Sequence, residues 1–217
     1  MPFKTVLSDL DGTLVDTSED VLRAFVCAFK ENNLGPFPFD SSCIGPKAIE
    51  IIRAALPNHH ESIRDHVLKS FRRHHDSSDL SNSRLFEGVE ETILKLKSEG
   101  INFYVVTNKP KSGVLNCINR LQLPLKIEDC FSVGDFGTQD KSHLIGEILS
   151  KKELDHRNVV MVGDTVEDII SAQNNKLQAI YCRYGFGGFN PSSNEVIATV
   201  SRFSEVPKFV KCEQFVI

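Results

Sequence analysis

From residue 86 onward the chain alternates short apolar runs with stretches of helical periodicity, and this alternation constrains the fold more than any other feature. The runs at 101–106, 131–133, 159–162 and 179–182 are strand-like in length and composition. Between them, apolar residues recur at helical spacing. Val89, Ile93, Leu94 and Leu96 precede Gly100; Val114, Leu115, Ile118 and Leu121 follow Pro110. Leu144, Ile145, Ile148 and Leu149 follow Lys141, and Ile169 and Ile170 sit on a last helix. Strands alternating with helices predict a parallel sheet covered on both faces.

Residues 16–84 have a different character and read as entirely helical. Thr17 and Asp20 have the spacing of a capping box, although Glu or Gln is the usual partner. Leu22, Phe25, Val26 and Phe29 form one apolar stripe, broken at 33–39 by Gly35, Pro36 and Pro38. Pro46 opens a second helix with Ile49, Ile52 and Leu56, and Ile63, Val67, Leu68 and Phe71 mark a third that runs to about His75. The stretch 76–84 is polar and serine-rich, a loop or hinge. The expected organisation is therefore an α/β, doubly wound parallel core at 1–15 and 85–217, interrupted by an inserted α-helical cap at 16–84.

Composition narrows the function classes. The 217 residues carry a net charge of −4, which gives no sign of nucleic-acid binding. No apolar run reaches the length of a membrane span, and no signal peptide stands at the N-terminus. These features predict a cytoplasmic protein with neither nucleic-acid nor membrane partners. The six cysteines (Cys27, Cys43, Cys117, Cys130, Cys182 and Cys212) form no Cys-x-x-Cys pair and read as reduced thiols, not as disulfides or zinc ligands. The histidine pairs His59–His60 and His74–His75 read as solvated helix ends.

The chemistry begins at Val6-Leu7-Ser8-Asp9-Leu10-Asp11-Gly12-Thr13-Leu14. Residues two apart in an extended segment point to one side, so Asp9 and Asp11 project toward a common point. Close carboxylates repel unless a cation or a shared proton offsets the repulsion, and a divalent metal is the usual solution. A surface turn is the competing reading of Asp-x-Asp-Gly. Context decides between them. In open parallel sheets, ligands bind at the carboxyl ends of strands, and every polar cluster here stands at such an end. Thr107 and Asn108 follow one strand, Asp164 and Asp168 another, and Lys141 opens a helix beyond a further strand. Taken singly, these are an ordinary strand end, a helix N-cap, a helix-face carboxylate and a solvated lysine. Together they suit a phosphate with a magnesium ion, carboxylates taking the metal while Lys and Thr take phosphoryl oxygens.

DLDGT, then VVTN, then Lys141, then VGDTVED resembles the haloacid dehalogenase superfamily of phosphohydrolases, with its Rossmann-like core. The insertion resembles that family's helical cap of the first type. Thr107-Asn108-Lys109-Pro110 and Tyr184-Gly185-Phe186-Gly187 are most similar to its phosphoglycolate phosphatase-like branch. The resemblance implies a small phosphorylated metabolite as substrate and a set of residue roles. Asp9 would be the nucleophile that forms an aspartyl phosphate. Asp11 would protonate the leaving alcohol and then activate water. Magnesium would be held by the Asp9 carboxylate, the Asp11 backbone carbonyl and the Asp164 side chain, with Asp168 supporting the metal's waters or Lys141. Thr107 and Asn108 would grip the phosphoryl group, and Lys141 would neutralise its charge.

One departure is evident. Lys141 is followed by Ser142 and His143 where many relatives carry Lys-Pro, and Lys109 and Lys111 stand nearby as competitors. Dehalogenases are disfavoured because that branch replaces the second aspartate of the first motif. A phosphoglucomutase-like transfer and a non-catalytic sugar-phosphate-binding module are the alternatives, and the intact Asp9, Asp11 and Asp164 argue against the latter. Lys47 could touch an anionic substrate, although a solvated helix start is the simpler reading. The pattern leaves the substrate and the oligomeric state open.

Overall fold

The computed structural model describes residues 2–45, 47–188 and 190–211. In chain order its elements are β1 (Thr5–Ser8), β2 (Val15–Asp16), α1 (Ser18–Glu31), α2 (Ala48–Ala55), α3 (Glu61–Asp76), β3 (Arg84–Leu85), α4 (Val89–Ser98) and β4 (Asn102–Thr107). Then follow α5 (Lys111–Leu121), β5 (Cys130–Phe136), α6 (Lys141–Lys151), β6 (Val159–Gly163), α7 (Val166–Asn174), β7 (Gln178–Cys182), β8 (Ala198–Val200) and α8 (Val206–Lys211).

Six strands form one parallel sheet in the order β5-β4-β1-β6-β7-β8. The first strand is thus central, and the chain winds outward from it to both sides. This is the expected doubly wound sheet, and its order reverses beside the carboxyl end of β1. Successive strand residues face opposite ways, so the complete burial of Val6 and Leu7, of Val105 and Val106, and of Val160 and Met161 means that both faces are covered. Helix α6 packs on α7, and α4 packs on α8. Burying each such side chain stabilises the fold by about 1.5–3 kcal/mol relative to leaving it exposed. The register sets Ser8 opposite Val105 on one side and Val162 on the other. These three strands therefore end within two residues of one another, and the Asp9 amide continues the ladder to the Val162 carbonyl at 2.9 Å.

The chain divides into two compact units, Met1–Asp16 with Arg84–Ile217, and Thr17–Ser83. At the margins of the first, β2 and β3 pair antiparallel, Val15 with Leu85 and Asp16 with Arg84. Two-residue strands carry no periodicity, so the sequence reading missed this ladder and gave 16 and 84 to the helical block. It also stopped short of β8 and α8, which are similarly brief.

The Thr17–Ser83 unit holds α1, α2 and α3 with one 3-10 turn at Ser41–Cys43. Its core is aromatic. Phe25 stacks on Phe71 at 4.1 Å and on Phe37 at 5.0 Å, so the proline-bracketed break lays a half-buried ring against this core. The expected capping box is absent. Thr17 makes no side-chain cap bond into α1, while the buried Asp20 accepts from Asn82 N, Asn82 Nδ2 and Ser83 Oγ at 3.1, 3.1 and 2.6 Å. A buried carboxylate needs donors, and these fasten the end of the unit to its beginning. Pro46 lies outside the described residues; α2 begins after an exposed Lys47 at the N-cap. The histidines serve helix ends: His60 accepts from Ser62 N, and His74 Nε2 lies 2.9 Å from Glu31. The five cysteines among the described residues are free, and Cys212 lies outside them.

Candidate active site

The loop after β1 is a tight coil in which Leu14 N and Val15 N both donate to the Leu10 carbonyl, at 2.9 and 3.0 Å. Its sharpest point is Gly12, at φ +91, a conformation that side chains resist. A Cβ there would lie 2.2 Å from Asp164 Oδ2. Glycine is required twice over, by the turn and by the carboxylate approaching it.

The core of the site is a chain of buried charges. Lys141 Nζ lies 2.7 Å from Asp9 Oδ1 and 2.6 Å from Asp168 Oδ1. The second Asp168 oxygen accepts from Thr165 N at 3.0 Å and Thr165 Oγ1 at 2.7 Å, capping α7. Asp164 accepts from Thr13 Oγ1 at 2.9 Å and from Phe186 N at 2.7 Å. Tyr184 closes the circuit by donating to the Thr13 carbonyl at 2.8 Å. Gly185 lets this loop pass, since a Cβ there would meet Asp164 Cβ and Gly12 O at 2.3 Å.

Asp9, Asp164 and Asp168 can each turn one oxygen into a group spanning no more than 4.8 Å. Three buried carboxylates around one buried ammonium leave a surplus of negative charge. Burial pushes the Asp9 carboxyl well above its ordinary range, against the pull of Lys141 and with the help of Asp168 and Asp164. Burial likewise lifts Asp164 to about 7, with Asp168 adding to it and the Phe186 amide and Thr13 hydroxyl opposing. Burial alone would lower Lys141, but Asp168 and Asp9 outweigh it and hold the amine charged. The strain falls on the acids. An all-oxygen set with a buried negative surplus fits a hard divalent cation.

The remaining sequence-picked residues lie at the same end of the sheet with different partners. Thr107 is buried, and its Oγ1 accepts from Lys109 N at 3.1 Å. Asn108 donates through Nδ2 to Glu167 Oε2 at 3.0 Å, turned toward the first turn of α7. The Asp11 carboxylate pairs with Lys109, whose Nζ lies 3.0 and 3.2 Å from its two oxygens. The group of three carboxylates that could share a cation is Asp9, Asp164 and Asp168, so it takes in Asp168 directly and does not include the Asp11 side chain. Lys111 binds the Cys130 carbonyl and lies 3.6 Å from Asp135. Of the three candidate lysines, the one at Asp9 is Lys141, Ser142 and His143 notwithstanding. Sequence reasoning gave no role to Thr13, Thr165 or Glu167 beyond motif membership, and it weighed Lys109 only as a competitor of Lys141, not as a partner of Asp11. The hydroxyls could have been suspected from their places inside DLDGT and GDT.

A sequence profile of the haloacid dehalogenase-like hydrolases matches residues 6–182. The chain belongs to that family. Among the family's curated members, a phosphoglycolate phosphatase from Agrobacterium fabrum is 30% identical over 190 residues, covering 82% of this chain and 79% of its own. A pyrophosphatase, PpaX, from Halalkalibacterium halodurans is 24% identical over 195 residues, covering 87% of each. A solved haloacid dehalogenase-like family hydrolase from Streptococcus pneumoniae shares the fold, with a TM-score of 0.73 at 19% identity over 96% of this chain and 99% of that one. The family resemblance read from the motifs is thereby borne out. Among the described residues, no helix is long and apolar enough to cross a membrane.

Proposed function

We propose that this haloacid dehalogenase-like hydrolase is a magnesium-dependent phosphomonoesterase. It hydrolyses a small phosphorylated metabolite, of the phosphoglycolate, sugar phosphate or nucleotide kind, through an aspartyl phosphate. The observation that carries this reading is Asp9 at the end of the central strand, bonded to a buried lysine at 2.7 Å and grouped with two further buried carboxylates. The names of the relatives support the substrate class.

Asp9 attacks phosphorus while Asp11 gives a proton to the leaving oxygen, so that the ester P–O bond breaks and an alcohol departs. Asp11, now a carboxylate, takes a proton from water as the water oxygen bonds to phosphorus. The bond between Asp9 and phosphorus breaks, and phosphate leaves. Lys141 keeps Asp9 oriented and offsets charge on the transferring group. Thr107 and Asn108 would hold phosphoryl oxygens, which asks Asn108 to exchange Glu167 for substrate. Asp9, the Asp11 carbonyl and Asp164 would hold magnesium, with Asp168 behind them; bound there, the ion supplies neutralising charge to a dianionic phosphate. The Thr17–Ser83 unit is assigned the family's cap, selecting small esters over phosphoproteins. The protein is expected to work in the cytoplasm.

Phosphate release from phosphoglycolate, sugar phosphates, nucleotides, pyrophosphate and a folded phosphoprotein, with and without magnesium, tests this. Turnover of small esters only, dependent on magnesium, is expected. Full activity after exhaustive EDTA treatment, or no hydrolysis of any ester, would overturn the proposal.

A further inference from the structure

Lys109 has no role in the scheme so far, yet it is built into the site as firmly as Lys141. Its side chain is 3% exposed, and a buried ammonium is costly unless paired. The pairing is with both oxygens of Asp11, at 3.0 and 3.2 Å. Two contacts to one nitrogen fix the plane of the carboxylate as well as its position. Its backbone is tied too, Lys109 N donating to Thr107 Oγ1 at 3.1 Å. The aliphatic stem runs along α5 at Gly113, where a Cβ would stand 3.0, 3.3 and 3.2 Å from Lys109 Cγ, Cδ and Cε. Glycine is a poor helix residue, and at this position it leaves a trough for the stem.

Granted the phosphatase reading above, we infer that Lys109 is a positioning residue for Asp11. It holds the carboxylate that serves the leaving oxygen, and it ties the loop after β1 to the loop after β4. Lys109 exchanges no proton and touches no reacting atom; it sets where Asp11 delivers its proton. The alignment matters in proportion to how badly the leaving group needs that proton. An alkyl phosphate expels a strongly basic alkoxide and depends on the acid, whereas p-nitrophenolate departs largely without it.

The test compares single-turnover rates of phosphoenzyme formation from an alkyl phosphate and from p-nitrophenyl phosphate, in wild type and in Lys109→Met. General acid help is worth about 10²–10⁴-fold, and a misaligned acid forfeits part of it, so the alkyl rate should fall at least about tenfold more than the aryl rate. Gly113→Ala is the second variant. It leaves the Lys109 ammonium in place but crowds its stem, so it should shift the same rate ratio in the same direction, with the melting temperature recording that the variant is folded. Should Lys109→Met not fold, Gly113→Ala carries the test. Equal losses on both esters, or no loss in either variant, would overturn the role of Lys109 while leaving the phosphatase reading intact. A wild type that hydrolyses neither ester would overturn both.

Discussion

At the scale of single residues, Asp9 and Asp11 stand two positions apart yet belong to different electrostatic neighbourhoods. The Asp9 side chain is 7% exposed and bonded to Lys141, whereas the Asp11 side chain is 24% exposed and paired with Lys109. Their substitutions should differ accordingly. Asp9→Asn should abolish turnover and the trapping of a phosphoenzyme, since an amide cannot act as the nucleophile. Asp11→Asn should slow both half-reactions by about a hundredfold or more while leaving Asp9 able to be labelled. Wild-type turnover in Asp9→Asn would remove the mechanism. Thr13 offers a separate check, on metal binding and not on turnover. It is fully buried, and its hydroxyl holds Asp164 Oδ1 at 2.9 Å. Groups that orient a metal ligand are typically worth about 10–100-fold in affinity. Thr13→Val, which keeps the shape and removes the hydroxyl, should weaken manganese or magnesium binding by about tenfold in calorimetry, and Thr13→Ser should restore it. Unchanged affinity in Thr13→Val would show that Phe186 N and the neighbouring glycines suffice to aim the carboxylate.

At the scale of elements, the site is assembled from loop and helix starts, and two of these, at α6 and α7, are anchored by side-chain caps. Helix α6 begins at Lys141, directly after Asp140, whose carboxylate accepts from His143 N at 2.8 Å. That cap fixes the first turn and with it the root of the lysine that reaches Asp9. Asp140→Ala should cost about 0.5–2 kcal/mol of stability, the usual worth of an N-cap side chain. Denaturant titration would measure it. Because the frayed turn carries Lys141, kcat should fall as well, although Asp140 is surface-exposed. Loss of stability with an unaltered kcat would mean that the Asp9 and Asp168 carboxylates alone hold Lys141 in place. Helix α7 uses the same device with one economy. Thr165 caps Asp168 N while Asp168 accepts from Thr165, so the carboxylate bonded to Lys141 also closes a helix start.

At the scale of the whole molecule, the chain retains three mutually repelling buried carboxylates. Such a group destabilises the metal-free fold and is relieved when a cation binds the native state alone. Linkage then predicts a stability gain of about 2.7 kcal/mol at a hundredfold excess of magnesium over its Kd. For a chain of this size each kcal/mol moves the melting temperature by about 2–4 °C. Thermal unfolding with magnesium should therefore lie several degrees above that in EDTA, and Asp164→Asn should lose most of the difference. Melting that ignores magnesium over the millimolar range would argue against a metal at this group.

Strand ends and helix faces are local properties, and so the sequence by itself determined them. The alternation after residue 86 foretold the strands at β4, β6 and β7 to within a residue or two. Topology then followed from physics, because parallel strands joined by helices must gather their carboxyl ends on one side. That alone puts Asp9, Thr107, Lys141 and Asp164 at one end of the sheet. Which ammonium answers which carboxylate was another matter. Lys141 meets Asp9 across 132 residues, Lys109 meets Asp11 across 98, and Tyr184 meets Thr13 across 171. No periodicity spans such distances. The pairings depend on strand order, on register and on glycines that admit a close approach. Thr17 and Asp20 make the same point in the helical unit. Their spacing fits a capping box, yet burial gave Asp20 better donors at Asn82 and Ser83. Local pattern selected the residues that could do chemistry; the sheet order and the burial of charge decided which of them meet.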